Sequence, residues 1–175
     1  SRAGGAYEND PAGYVDWSGS DITPPEAAVS QPPHGAVLNS LVQLAGTAAD
    51  NAAVSSVTVS ILRQDTGLYW DGAAWSAGQT WLDAALAGGA WTYSPVPAWA
   101  DGSSFAVTAR SVDSAGIWSP AAVSVFSYDI TAPLSAVLQP GSVQSTTFTY
   151  IAGTASDALG VAMVSVNIRR LSDSS

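Results

Sequence analysis

Apolar and polar residues alternate along most of this chain. Val57, Val59 and Ile61 are separated by Thr58 and Ser60, and Val164, Val166 and Ile168 by Ser165 and Asn167. A period of two marks a half-buried strand, because successive side chains leave opposite faces of the backbone. The pattern predicts strands over 27–31, 41–47, 54–64, 68–70, 80–86, 90–94, 104–112 and 121–128, with Phe105, Val107 and Ala109 on one face of the 104–112 strand. Asp71-Gly72 and Gly88-Gly89 are turn signals between these runs. Pro32 and Pro33 close the first strand, since proline has no N–H to donate to a ladder. No segment holds a helical period, so the expected class is all-β.

The pattern is also written twice. Ala45-Gly46-Thr47-Ala48 with Asp50 returns as Ala152-Gly153-Thr154-Ala155 with Asp157, and each is followed by an alternating strand. Asp21-Ile22-Thr23-Pro24 returns as Asp129-Ile130-Thr131 with Pro133, a spacing of 108 residues; the Gly-Thr pairs are 107 apart. The one-residue difference falls in the loop before the second strand, where length changes are tolerated. A recurring unit of this kind predicts tandem repeats. Residues 21–128 then form one complete unit, 1–20 the tail of a preceding unit or a donated strand, and 129–175 the first three strands of a following unit. Three strands alone leave one face and one edge uncovered. A partner is therefore expected, either an adjacent repeat or another copy of the chain.

Composition narrows the function. The 175 residues carry a net charge of −9 with five Arg and no Lys, which is unsuited to neutralising nucleic-acid phosphates. Lacking lysine, the chain cannot form a Lys–Asn isopeptide bond; lacking cysteine, it has no disulfide and no thiolate metal site. No apolar run approaches the ~18 residues of a membrane span. Low charge, abundant small residues and seven Trp suit an extracellular or cell-surface β-protein.

The segment Pro24 to Val37, with its Pro32-Pro33-His34-Gly35 turn, resembles the opening of bacterial Ig-like repeat domains. So does the continuation through Leu44-Ala45-Gly46-Thr47, Asp50 and Val54-Ser55-Ser56-Val57. The later Tyr69-Trp70-Asp71-Gly72, Trp91-Thr92-Tyr93, Trp99-Ala100-Asp101-Gly102 and Ala109-Arg110-Ser111 are similar to the variant in very large repetitive surface proteins. The resemblance implies Ig-like β-sandwich repeats in tandem, serving as spacer, adhesin stalk or filament subunit, without catalytic residues. In such a sandwich the lead-in to the first strand and the loops holding Asp50 and Asp113 lie at one end. That would gather Asp21, Asp50 and Asp113, and at the opposite end bring Asp101 towards Asp129 and Asp157. Converging carboxylates are hard oxygen donors of the kind calcium takes; the plainer role for each Asp is to cap a turn.

Six of the seven Trp lie between positions 70 and 118. Filling the gap between Ala-rich sheets is their expected role; a carbohydrate-binding face using Trp70 and Trp75 is the alternative. Catalysis has no foothold: His34 is the only histidine and sits in a proline turn, and no nucleophile or phosphate-loop motif occurs. Arg63 and Arg170 share a repeat position, which points to a role within the sheet. The function this predicts is structural: a repeat segment of an extracellular fibre or surface adhesin, completing or completed by a neighbouring copy. Its expected partners are copies of itself, adjacent repeats or surface glycans.

Overall fold

The computed structural model describes residues 21–141 and 149–169, so the expectations placed on residues 1–20 and on Arg170 lie outside the described residues. Among the described residues every regular element is a strand: β1 (Glu26–Gln31), β2 (Val37–Leu38), β3 (Leu44–Ala49), β4 (Val54–Arg63), β5 (Leu68–Trp70), β6 (Trp75–Ser76), β7 (Leu82–Ala87), β8 (Ala90–Tyr93), β9 (Ser103–Asp113), β10 (Ala122–Tyr128), β11 (Leu134–Gln139) and β12 (Ala152–Ser156). The chain is all-β, and no helix among the described residues is long and apolar enough to cross a membrane.

The first ten strands make one mixed sheet, ordered β1-β3-β8-β7-β4-β9-β10-β2, with β5 and β6 as a flap on β4. All pairings are antiparallel except β10 with β2. The sheet turns at β7, whose Leu82–Ala84 pair with β4 while Ala85–Ala87 pair with β8. It curls far enough that β1, at one end of the order, packs against β9 and β10 near the other. Ser124 Oγ donates to the Pro32 carbonyl across that closure at 2.8 Å.

Inside the curl lie Leu44, Val57, Val59, Ile61, Trp91, Phe105, Val107, Ala109 and Phe126, all buried. Alternation along β4 and β9 puts Val57, Val59, Ile61, Phe105, Val107 and Ala109 on one face, and burial of that face with Leu44, Trp91 and Phe126 is what drives the strands together. Trp91 fills the centre. Its indole occupies the space where a side chain at Gly46 would stand: a Cβ there would lie 2.5 Å from two ring carbons and closer still to the Ala28 carbonyl oxygen. The indole N–H is shared between the carbonyls of Ala28 (3.1 Å) and Thr47 (3.2 Å), so the buried polar group is satisfied. At one end Trp99 stands edge-on to Phe105 and Phe126 and donates to the Leu41 carbonyl at 2.7 Å.

β11 and β12 form a separate two-stranded sheet. Its register repeats that of β1 and β3 with the same offset: Val137 faces Gly153 as Val29 faces Gly46, and both ladders slip once, before Gln139 and before Gln31. The third strand expected after them does not form a ladder. Val164, Val166 and Ile168 alternate but stay exposed and unpaired among the described residues. Their counterparts in β4 are held between β7 and β9; the described part of 129–169 contains no such neighbours.

Candidate metal centre

Each of Asp21, Asp50 and Asp113 sits where the backbone leaves or enters a strand. Asp21 precedes β1, Asp50 follows β3, and Asp113 ends β9. Each spends one carboxylate oxygen on a local turn. Asp21 Oδ1 accepts from the Thr23 N–H at 3.0 Å and from Asn51 Nδ2 at 3.4 Å. Asp50 Oδ2 accepts from the Ala52 N–H at 3.0 Å, and Asp113 Oδ1 from the Ile117 N–H at 2.8 Å. These bonds fix the side chains, and they leave the second oxygens free.

The three carboxylates converge. One carboxylate oxygen from each aspartate lies within 4.8 Å of the others. Asp21 Oδ2, Asp50 Oδ1 and Asp113 Oδ2 are all buried and have no hydrogen-bond partner among the described residues. Asp113 is only 2% exposed as a residue. Buried carboxylate oxygens without donors are costly, and three like charges this close repel by about 3 kcal/mol per pair at an effective dielectric of ~20. A cation in their midst turns both costs into attraction. Oxygens bound at ~2.4 Å on opposite sides of Ca2+ stand ~4.8 Å apart, so this spacing suits one shared calcium sphere. The donor set is all oxygen, with no sulfur or imidazole. The one histidine, His34, is elsewhere and accepts from the Val125 N–H through Nδ1 at 3.2 Å. Metals that select nitrogen or thiolate ligands have no purchase here.

The second expected acidic set does not gather. Asp101 turns instead to the segment after β10, accepting from the Ile130 N–H at 2.8 Å and the Thr131 hydroxyl at 2.5 Å. The Thr131 hydroxyl first, and the Ile130 N–H second, hold the Asp101 carboxyl below the usual carboxylate range. Asp129 and Asp157 cap turns as Asp21 and Asp50 do, through the N–H groups of Thr131 and Leu159. They line one surface pocket together with Leu38 and Asn39, without forming a third-member cluster among the described residues.

Trp70 and Trp75 meet edge to face with centroids 5.7 Å apart, and Trp75 leans on Phe105 at 5.9 Å. Both are half-buried against the core. Arg110, which the sequence marks only as a cation near a strand end, lies between Trp81 and Trp118, 3.8 and 4.2 Å from the two ring centroids. Arg63 pairs with Asp65 at 2.8 Å on the surface.

No protein-family model and no curated protein matches this chain. Among solved structures, CopC from Methylosinus trichosporium OB3b is similar at 18% identity and a TM-score of 0.41, over 59% of this chain and 94% of that one. A similarity this faint assigns neither ligand nor activity.

Proposed function

We propose that this chain is a non-catalytic structural segment of an extracellular or cell-surface protein, built from Ig-like sandwich repeats. In this reading a calcium ion at Asp21, Asp50 and Asp113 fastens the lead-in segment to the body of the repeat. The observation that carries it is the meeting of three carboxylates, each holding a buried oxygen that has no donor among the described residues. The three residues come from separate parts of the chain, so one ion would tie the segment before β1 to the loops after β3 and β9. A tie at that point resists bending and pulling, which is the demand placed on a stalk or fibre.

The strand order supports the Ig-like part. The curled sheet brings β1, from the β1-β3-β8-β7 half, against β9 and β10 of the other half, and the chain after β1 returns as β2 beside β10, parallel to it, as in an Ig-like sandwich. The duplicated register of β11 and β12 supports tandem repetition. Exposed Leu134, Val137, Val166 and Ile168 favour assembly with an adjacent repeat or a neighbouring copy, because soluble chains rarely leave so much apolar surface bare. The glycan reading has less behind it. Trp70 and Trp75 lean on each other and on Phe105 instead of presenting open stacking faces.

Calorimetric titration of calcium into chelator-treated protein tests the ion. One site with a dissociation constant on the order of 10⁻⁵ to 10⁻³ M is expected, with magnesium weaker because it demands a tighter octahedron. Heat that is unchanged in Asp113→Asn, or absent in the native chain, contradicts the proposal.

A further inference from the structure

β7, β4 and β9 have an outer face as well as the inner one that lines the core. Each of the three has a neighbour on either side in the sheet order, so this is a face of the complete unit and not an open edge. Alternation puts Thr58 of β4, Arg110 of β9 and Asp83 of β7 on it, since Val57, Val59 and Ala109 point inward. Thr58 stands in the middle, with Asp83 opposite it on one neighbouring strand and Arg110 opposite it on the other.

Arg110 is held in place without a counter-ion. Trp81 and Trp118 keep the guanidinium between them, with ring centroids 3.8 and 4.2 Å from its central carbon. Its Nε donates to Thr58 Oγ1 at 3.3 Å, while among the described residues its remaining N–H groups find no acceptor and no carboxylate pairs with it. That is out of keeping with a chain of 14 acidic residues and five Arg. The rings exclude water from the guanidinium, which strengthens its attraction for a carboxylate presented in its plane. Asp83 is exposed on the same face, but β4 lies between the two and they form no ion pair. Beside them Trp118 is 45% exposed, more than any other described tryptophan.

We propose that this face is a contact between two copies of the chain, packed face to face about a twofold axis that runs along β4. Such an axis sets β9 of one copy over β7 of the other, so Arg110 meets the partner's Asp83 and Asp83 meets the partner's Arg110. Neighbouring strands lie ~4.8 Å apart, which places the cation and the acid at similar distances on either side of the axis. A face of that kind is complementary to itself under a twofold rotation. An acidic glycan or peptide would answer Arg110 and leave Asp83 against an anion; a second copy answers both at once. The ion pairs set the register, and the exposed indole of Trp118 adds apolar area. Repulsion between two chains of net charge −9 keeps the association weak, with a dissociation constant on the order of 10⁻⁵ to 10⁻⁴ M. The contact joins copies side by side and uses neither the calcium ion nor β11 and β12.

Sedimentation velocity of the full chain in chelator tests it. Arg110→Asp carries two acids on the face and Asp83→Arg carries two arginines. Each alone should associate at least about tenfold more weakly than the native chain, and the two mixed in equal amounts should form a heterodimer of about native strength. A native chain that stays monomeric to about 1 mM, single variants that associate as the native chain does, or a mixture no tighter than its parts would each overturn the proposal. If Arg110→Asp does not fold, the native chain decides alone. Its backbone amide shifts at Asp83 and Arg110 should change with protein concentration while that of Gly46 stays still, and shifts independent of concentration overturn the contact. Calcium titration followed at the Ile117 amide reports separately on the aspartate site, so failure of one is told apart from failure of the other.

Discussion

Asp113 carries the sharpest prediction at the level of single residues. Its Oδ1 already receives the Ile117 N–H, a bond that asparagine can keep, while its Oδ2 is buried without a donor among the described residues and two other carboxylates stand close by. Asp113→Asn should therefore stabilise the ion-free protein by about 1 kcal/mol or more, by removing one charge from the cluster. It should also remove the calcium response. Chemical denaturation in chelator reads the first effect, and a less stable variant would mean the cluster is not strained without its ion. Gly46 and Trp91 form a second, purely mechanical pair. Trp91→Ala should cost about 3–5 kcal/mol, and Gly46→Ala should cost a similar amount although it adds one methyl, because that methyl meets both the Ala28 carbonyl and the indole. A loss under ~1 kcal/mol for Gly46→Ala would show that the slot is looser than described. The glycine's recurrence was visible in the sequence. What it made room for was not, since the tryptophan lies 45 positions away and only the β3–β8 register brings it over.

Among the elements, strands that alternate or are bounded by turn signals were legible, and two-residue strands were not. The spans read for β1, β4, β5, β8, β9 and β10 match the structure to within a residue or two: β1, β4, β9 and β10 through apolar–polar alternation, β5 and β8 through the Asp71-Gly72 and Gly88-Gly89 turns that bound them. β2 and β6 escaped detection, as two residues carry no period. β3 begins at Leu44 and not at 41, where the Leu41 carbonyl is taken by the Trp99 indole. The division of β7 between two neighbours has no local signal at all. Asp101 is the instructive miss at the site. The Ig-like arrangement placed it near two other acids, yet the Thr131 hydroxyl and the Ile130 N–H on the segment after β10 take up its two oxygens. Its depressed pKa sets a pH dependence. The tie to Ile130 and Thr131 is complete above the ordinary carboxylate value of ~4 and is lost as pH falls through the lower folded value. The Ile130 amide shift should titrate with a midpoint below ~4, and Thr131→Val should move that midpoint upward; an ordinary midpoint in the native chain would contradict the tie.

For the whole molecule, the class of fold followed from periodicity, and the gathering of Asp21, Asp50 and Asp113 followed from the arrangement that the Ig-like resemblance implied. Neither the curl that packs β1 on β9 and β10 nor the unpaired state of 164–168 could be read from the chain, because both depend on which strands are present to pair. In the proposed function, an ion held by Asp21, Asp50 and Asp113 would convert three mutually repelling carboxylates into one fixed junction. Binding that favours the folded state raises stability by mass action, about 2.7 kcal/mol at a hundredfold excess over the dissociation constant. The most direct measurement is the melting temperature of the native chain and of Asp113→Asn, each in chelator and in saturating calcium. The native protein should melt roughly 5–15 °C higher with calcium and the variant should not respond; equal melting temperatures for the native chain in the two buffers would contradict the account.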